Sequence, residues 1–217
     1  MTMISAAIFD FDGTLTPLTL DFAYLRVKVE ELARQYVDDA LIAAQAHLYI
    51  IETIHAIGDA LGHRGQEFQE KAFRLLCDLE VKAARGKDLY PCARDVLTRL
   101  KAAGIGVAII TRTCADVIET VFPDLWDYVD VVVTRDDTRH VKPDPEHVHM
   151  ALTRLGVAPA QAVLAGDHPT DIEAGKASGT ITAGVLTGRT RREQFTEAGA
   201  DYVFEDIRGI LGIVSAA

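Results

Sequence analysis

Two carboxylates stand two residues apart in Asp10-Phe11-Asp12-Gly13-Thr14-Leu15, directly after the apolar run of residues 4–9. The run is rich enough in Ile, Ala and Phe to predict a buried strand. Gly13 permits a tight turn after it, and the Thr14 hydroxyl can hold that turn. Further polar groups recur far downstream at the ends of other apolar runs. Thr111 follows Ile109-Ile110, Lys142 precedes Pro143-Asp144-Pro145, and Asp167 and Asp171 follow residues 162–165. Taken singly each has an ordinary use, in an Asx turn, a strand end, a solvated loop or a helix N-terminus. Together they place four acids, a hydroxyl and an amine at the ends of separate elements. Acids at the carboxyl end of a central strand lie where open α/β sheets bind ligands. An anionic ligand there needs positive charge nearby, from a metal or from placed Lys and Arg.

The elements between these residues predict how they are positioned. Runs at residues 105–110, 129–133, 162–165, 181–186 and 202–204 read as further strands, separated by helical patterns. Thr113 can cap one helix. Asp144-Pro145 predicts the start of another, with Gly156 at its end, and Gly104 and Gly179 suit two further helix ends. Strands alternating with helices imply a parallel sheet covered on both faces. Such a sheet turns all strand ends of one polarity to one edge, so the four sites can converge.

Residues 17–86 differ in texture. Phe22, Leu25, Val29, Leu32 and Tyr36 recur at spacings of three and four, as do Leu41, Ala44, Leu48, Ile51 and His55, and Phe68, Ala72, Leu75, Leu79 and Ala83. The spacing predicts three amphipathic helices with Gly58, Gly62 and Gly65 as punctuation. The expected fold is therefore α/β: a Rossmann-like, mainly parallel core of residues 1–16 and 87–217, with a small all-α domain of residues 17–86 inserted after the first strand.

The chain has 217 residues, 49% of them hydrophobic, and 22 basic against 32 acidic residues give a net charge of −10. That charge disfavours nonspecific binding to nucleic acid or to an anionic membrane. No run is long enough to span a bilayer and no charged leader with a cleavage site precedes the first strand, so a cytoplasmic location is expected. The seven histidines show no HExxH or other zinc spacing. Oligomeric state cannot be read from the sequence.

The four segments Asp10-Phe11-Asp12-Gly13-Thr14-Leu15, Ile109-Ile110-Thr111, Val141-Lys142-Pro143-Asp144-Pro145 and Gly166-Asp167-His168-Pro169-Thr170-Asp171 resemble the ordered motifs of the haloacid dehalogenase superfamily, in particular its phosphoglycolate phosphatase-like branch. The helical insert is similar to that family's cap. The resemblance implies a Mg²⁺-dependent phosphatase of a small phosphorylated metabolite, working through an aspartyl phosphate. Asp10 would be the nucleophile, and Asp12 would protonate the leaving alcohol and later take a proton from water. Thr111 and Lys142 would hold phosphoryl oxygens. Asp10, the Asp12 carbonyl and Asp167 would ligate Mg²⁺, with Asp171 as a water-mediated ligand or as an orienter of Lys142. The charges agree: four carboxylates and one lysine repel a phosphate dianion unless a divalent cation is present.

Arg112 stands where Asn or Ser is common in similar sequences. Either it meets a second anionic group of the substrate or it makes a surface ion pair. His168 stands where a small polar residue is common in similar sequences; either it touches substrate or it is a loop histidine, and the loop reading is preferred. A sugar phosphomutase of the same superfamily is the alternative reading. A non-enzymatic phospho-acceptor switch resembling a receiver domain also uses clustered acids, Mg²⁺, Thr and Lys, but such domains have no helical insert after the first strand. A dehalogenase is disfavoured, since that chemistry gives Asp12 no leaving alcohol to protonate.

Overall fold

The computed structural model describes residues 3–215. The chain divides into two compact units, Met1–Leu18 with Gly86–Ala217, and Thr19–Arg85.

The first unit is built on a six-stranded sheet in the order β3-β2-β1-β4-β5-β6. Its strands are β1 (Ala6–Phe9), β2 (Gly106–Ile110), β3 (Val131–Val133), β4 (Ala162–Gly166), β5 (Ile181–Val185) and β6 (Tyr202–Phe204). Every neighbouring pair is parallel. The central strands read as unbroken apolar runs because neither of their faces meets water: Ala6, Ala7, Ile8 and Phe9 are all fully buried. Side chains alternate between the two faces. Ala6, Ile8, Ala108, Ile110, Val131, Val133, Ala162 and Leu164 pack with Val148, Ala151 and Leu152 of α7 (Glu146–Leu155) and Ala174 of α8 (Pro169–Ser178). The opposite face carries Ala7, Phe9, Val107 and Ile109, and α5 (Ala93–Ala102) covers β2 there through Val96, Leu97 and Leu100. α6 (Ala115–Val121), α9 (Arg192–Glu197) and α10 (Gly209–Ser215) complete the unit.

The helix signals act locally as their chemistry dictates. Asp144 Oδ1 accepts from the Glu146 amide at 2.8 Å at the start of α7. Gly156 closes that helix at φ 69°, a left-handed conformation that glycine adopts without strain. The strand order reverses between β1 and β4, so the loops after these two strands diverge and leave a crevice between them. Registry is exact enough to matter for the site. Phe9 lies opposite Ala165, and the Asp10 amide donates to the Ala165 carbonyl at 2.9 Å.

The second unit is all helix: α1 (Phe22–Ala33), α2 (Asp39–Ala44), α3 (Ile50–Ala60) and α4 (Gly65–Ala84). The middle helix expected from periodicity is two, because residues 45–49 break it. The apolar spacing continues across the break, and periodicity alone does not register a missing turn. Gly58 is not punctuation either. It lies inside α3, and a Cβ on Gly65 would fall 2.0 Å from its carbonyl oxygen, so these two glycines let α3 and α4 touch backbone to backbone. Among the described residues no helix is long and apolar enough to cross a membrane.

Candidate active site

β1 ends at Phe9 and delivers Asp10 to the carboxyl edge of the sheet. β4 ends at Gly166 and delivers Asp167 beside it, and the first turn of α8 adds Asp171. The three carboxylates are buried and offer oxygens within 4.8 Å of one another. Gly13 is required at this spot: its φ is 94°, and a Cβ would lie 2.3 Å from Asp167 Oδ2. The Thr14 hydroxyl stands between two of the acids, 3.2 Å from Asp10 Oδ2 and 3.4 Å from Asp167 Oδ1.

Lys142 supplies the counter-charge. Its Nζ donates to Asp10 Oδ1 at 2.7 Å and to Asp171 Oδ1 at 2.6 Å, and its side chain is 1% exposed. Burial opposes an ammonium, but Asp10 and Asp171 outweigh it and hold Lys142 above its ordinary pKa. The other oxygen of Asp171 accepts from the His168 amide at 3.0 Å. His168 itself is no loose loop residue. Its Nδ1 accepts from the Thr170 amide at 3.3 Å, so it caps α8 while Asp171 returns the bond.

One lysine does not neutralise three acids. Burial, and after it the charges of Asp10 and Asp171, drive Asp167 far above the usual carboxylate range, to about 9. Asp171 is raised for the same first reason, with Lys142 pulling the other way. A sealed group of hard oxygen donors with unbalanced negative charge fits Mg²⁺ and offers nothing soft for zinc or copper.

Asp12 stands apart from this cluster. Its Oδ1 accepts from Lys87 Nζ at 2.7 Å, and the two side chains are 12% and 6% exposed. Burial raises Asp12, against the pull of Lys87. Sequence reasoning missed Lys87, since one lysine in a connecting segment has no spacing signature. It missed Thr187 and Gly188 as well. The Thr187 hydroxyl donates to the Gly13 carbonyl at 2.5 Å, and a Cβ on Gly188 would sit 1.9 Å from Asp167 Oδ2. The available signal was that β5 must end at the same edge as β1 and β4.

Thr111 and Arg112 lie just beyond β2. Thr111 is buried, and its Oγ1 accepts from the Thr113 amide at 3.2 Å. Arg112 Nη1 donates to the Lys142 carbonyl, which ties the end of β2 to the segment carrying the lysine. That segment has a second brace: Lys142 N donates to His147 Nδ1 at 3.4 Å, while His147 Nε2 lies 3.1 Å from the Val133 carbonyl. A carbonyl only accepts, so Nε2 carries the proton. The structure thus joins Lys142 directly to Asp10 and Asp171, brings Asp167 into the same cluster, pairs Asp12 with Lys87, ties Arg112 to the Lys142 segment, and leaves Thr111 at the end of β2 with the Thr113 amide as its partner.

The family profile of the haloacid dehalogenase-like hydrolases matches residues 4–179. The chain belongs to this family. Its match takes in all four segments of the site. Among curated relatives it is similar to the pyrophosphatase PpaX of Bacillus velezensis, with 36% identity over 126 residues, covering 57% of this chain and 58% of that protein. It is also similar to the phosphoglycolate phosphatase of Escherichia coli, with 30% identity over 133 residues, covering 59% and 52%. The aligned part thus spans little more than half the length of either relative. The fold of this family member matches the crystal structure of a hydrolase from Pseudomonas syringae with a TM-score of 0.66 at 22% identity, over 98% of both chains.

Proposed function

We propose that this family member is a Mg²⁺-dependent phosphatase that hydrolyses a small phosphorylated metabolite through an aspartyl phosphate at Asp10. The observation that carries the reading is the convergence of Asp10, Asp167 and Asp171, whose carboxylate oxygens lie within 4.8 Å of one another, with Lys142 bonded to Asp10 and Asp171, at the switch point of the sheet. Phosphate ester hydrolysis is among the slowest uncatalysed reactions, and a carboxylate nucleophile divides it into two easier steps. Asp10 attacks phosphorus as the ester oxygen departs, and Asp12 gives that oxygen its proton. Water then attacks the acyl phosphate, Asp12 takes the water's proton, and phosphate leaves with the Asp10 carboxylate restored. Lys142 and the Thr111 hydroxyl hold phosphoryl oxygens, and Arg112, whose Nη1 is tied to the Lys142 carbonyl, meets a second anionic group. Asp10, the Asp12 carbonyl and Asp167 would hold Mg²⁺, with Asp171 behind them; the ion would neutralise phosphoryl charge.

The relatives' names make 2-phosphoglycolate and pyrophosphate the first compounds to assay. Choice among substrates belongs, in this reading, to the helical unit, acting as a cap. The test is phosphate release from a panel of phosphorylated metabolites with and without Mg²⁺. Metal-dependent release that vanishes in Asp10→Asn supports the reading. Isomerised sugar phosphate with little free phosphate would favour a phosphomutase, and a long-lived phosphoprotein without turnover would favour a switch.

A further inference from the structure

Lys87 has no part in the scheme above, yet it is placed with care. It follows Gly86, which turns at φ 79°. The segment is fixed to the loop carrying the acids: Thr16 Oγ1 donates to the Asp88 carbonyl at 2.8 Å and Tyr90 N donates to the Leu15 carbonyl at 2.8 Å. Asp12 and Thr16 are themselves joined by a β-bridge. An amine as strongly hydrated as lysine is seldom buried unless a partner compensates it. Among the described residues the partner is Asp12 alone, at 2.7 Å, whereas Lys142 serves Asp10 and Asp171.

Resting on the reading that Asp12 serves the leaving oxygen, we propose that Lys87 is a positioning residue for Asp12. Its ammonium occupies Oδ1, fixes the carboxyl rotamer and leaves Oδ2 as the atom that meets the departing group. Lys87 touches no substrate in this account; it acts through Asp12. Two consequences separate this role from a plain staple of the connecting segment. Removal of Lys87 is felt where the leaving oxygen needs a proton, as in an alkyl phosphate, and hardly where it does not, as in p-nitrophenyl phosphate. And it costs nothing further once Asp12 can no longer deliver a proton.

The experiment measures kcat and KM of the full chain with Mg²⁺ on glycerol 2-phosphate and on p-nitrophenyl phosphate. Lys87→Met, Lys87→Arg, Asp12→Asn and the double variant Asp12→Asn with Lys87→Met are compared. Lys87→Met is expected to lower kcat by roughly 30–100-fold on the alkyl ester, a partial loss at or below the lower end of the roughly 10²–10⁴-fold that general acid catalysis supplies, and by less than about 3-fold on the aryl ester. Lys87→Arg recovers part of the loss, and the double variant matches Asp12→Asn. Thermal melting of the metal-free variants gives a readout apart from turnover, with Lys87 and Asp12 coupled rather than additive. Equal loss on both esters, no loss on the alkyl ester, or additive effects overturn the proposal. If Lys87→Met does not fold, Lys87→Arg decides, since a displaced guanidinium must discriminate between the esters in the same direction. If Asp12→Asn alone leaves both esters unaffected, the acid assignment under the proposed function falls first, and the role of Lys87 with it.

Discussion

The Lys142 ammonium lies 2.6 Å from Asp171 Oδ1, with the two side chains only 1% and 2% exposed. A buried pair of this kind is weak evidence for net stability, but breaking it from one side is costly. Lys142→Met leaves Asp10, Asp167 and Asp171 uncompensated. At neutral pH without metal we expect it to lower stability by about 3–5 kcal/mol. Mg²⁺ should then raise the melting temperature more in the variant than in the unaltered protein, since a bound cation stabilises only the folded state. Calorimetric melts in EDTA and in excess Mg²⁺ check this.

Gly188→Ala places a Cβ 1.9 Å from Asp167 Oδ2, far inside contact distance. The carboxylate must swing away, so cation affinity is expected to fall at least ~10-fold, in line with the loss of groups that orient metal ligands. Isothermal titration with Mg²⁺ measures it. An unchanged affinity would remove Asp167 from the proposed ligand set.

His147 gives stability a pH dependence of known sign. Burial, and after it the charge of Lys142, push it from 6.5 down to about 3. Between those values the unfolded chain binds a proton that the folded chain refuses. This contribution is complete above about pH 6.5 and is lost as pH falls toward 3, amounting to on the order of a few kcal/mol. His147→Gln should therefore flatten the slope of stability against pH in that window. Urea titrations of both proteins at several pH values compare the slopes, and parallel slopes would refute it.

Gly65→Ala drives a methyl group into the Gly58 carbonyl where α3 meets α4. Overpacking of this kind costs typically 1–3 kcal/mol. Amide exchange should quicken in α3 and α4 and stay unchanged in β1, β2 and β4.

How much of this was legible depended on whether a residue's role is carried by its type. Asp10 and Asp167 could be found because strand ends in a parallel sheet share one edge and acids at such ends are chemically loud, and Lys142 because it stands just before the helix start marked by Asp144-Pro145. Lys87, Thr187 and Gly188 could not. Each acts through a contact made far along the chain, with Asp12, Gly13 and Asp167. The capping role of His168 is not carried by its type, since histidine is not among the usual N-cap residues, and only the fold shows its Nδ1 turned back on the Thr170 amide. The split of α2 from α3 escaped because apolar spacing survives a break of a few residues.

The central claim is that Asp10 accepts the phosphoryl group. The most direct measurement is peptide mass spectrometry of the protein quenched in acid during turnover of its best phosphorylated substrate with Mg²⁺. The account predicts a phosphoryl adduct on Asp10 that is absent without substrate and absent in Asp10→Asn. An adduct on another residue, or full turnover by Asp10→Asn, would contradict it.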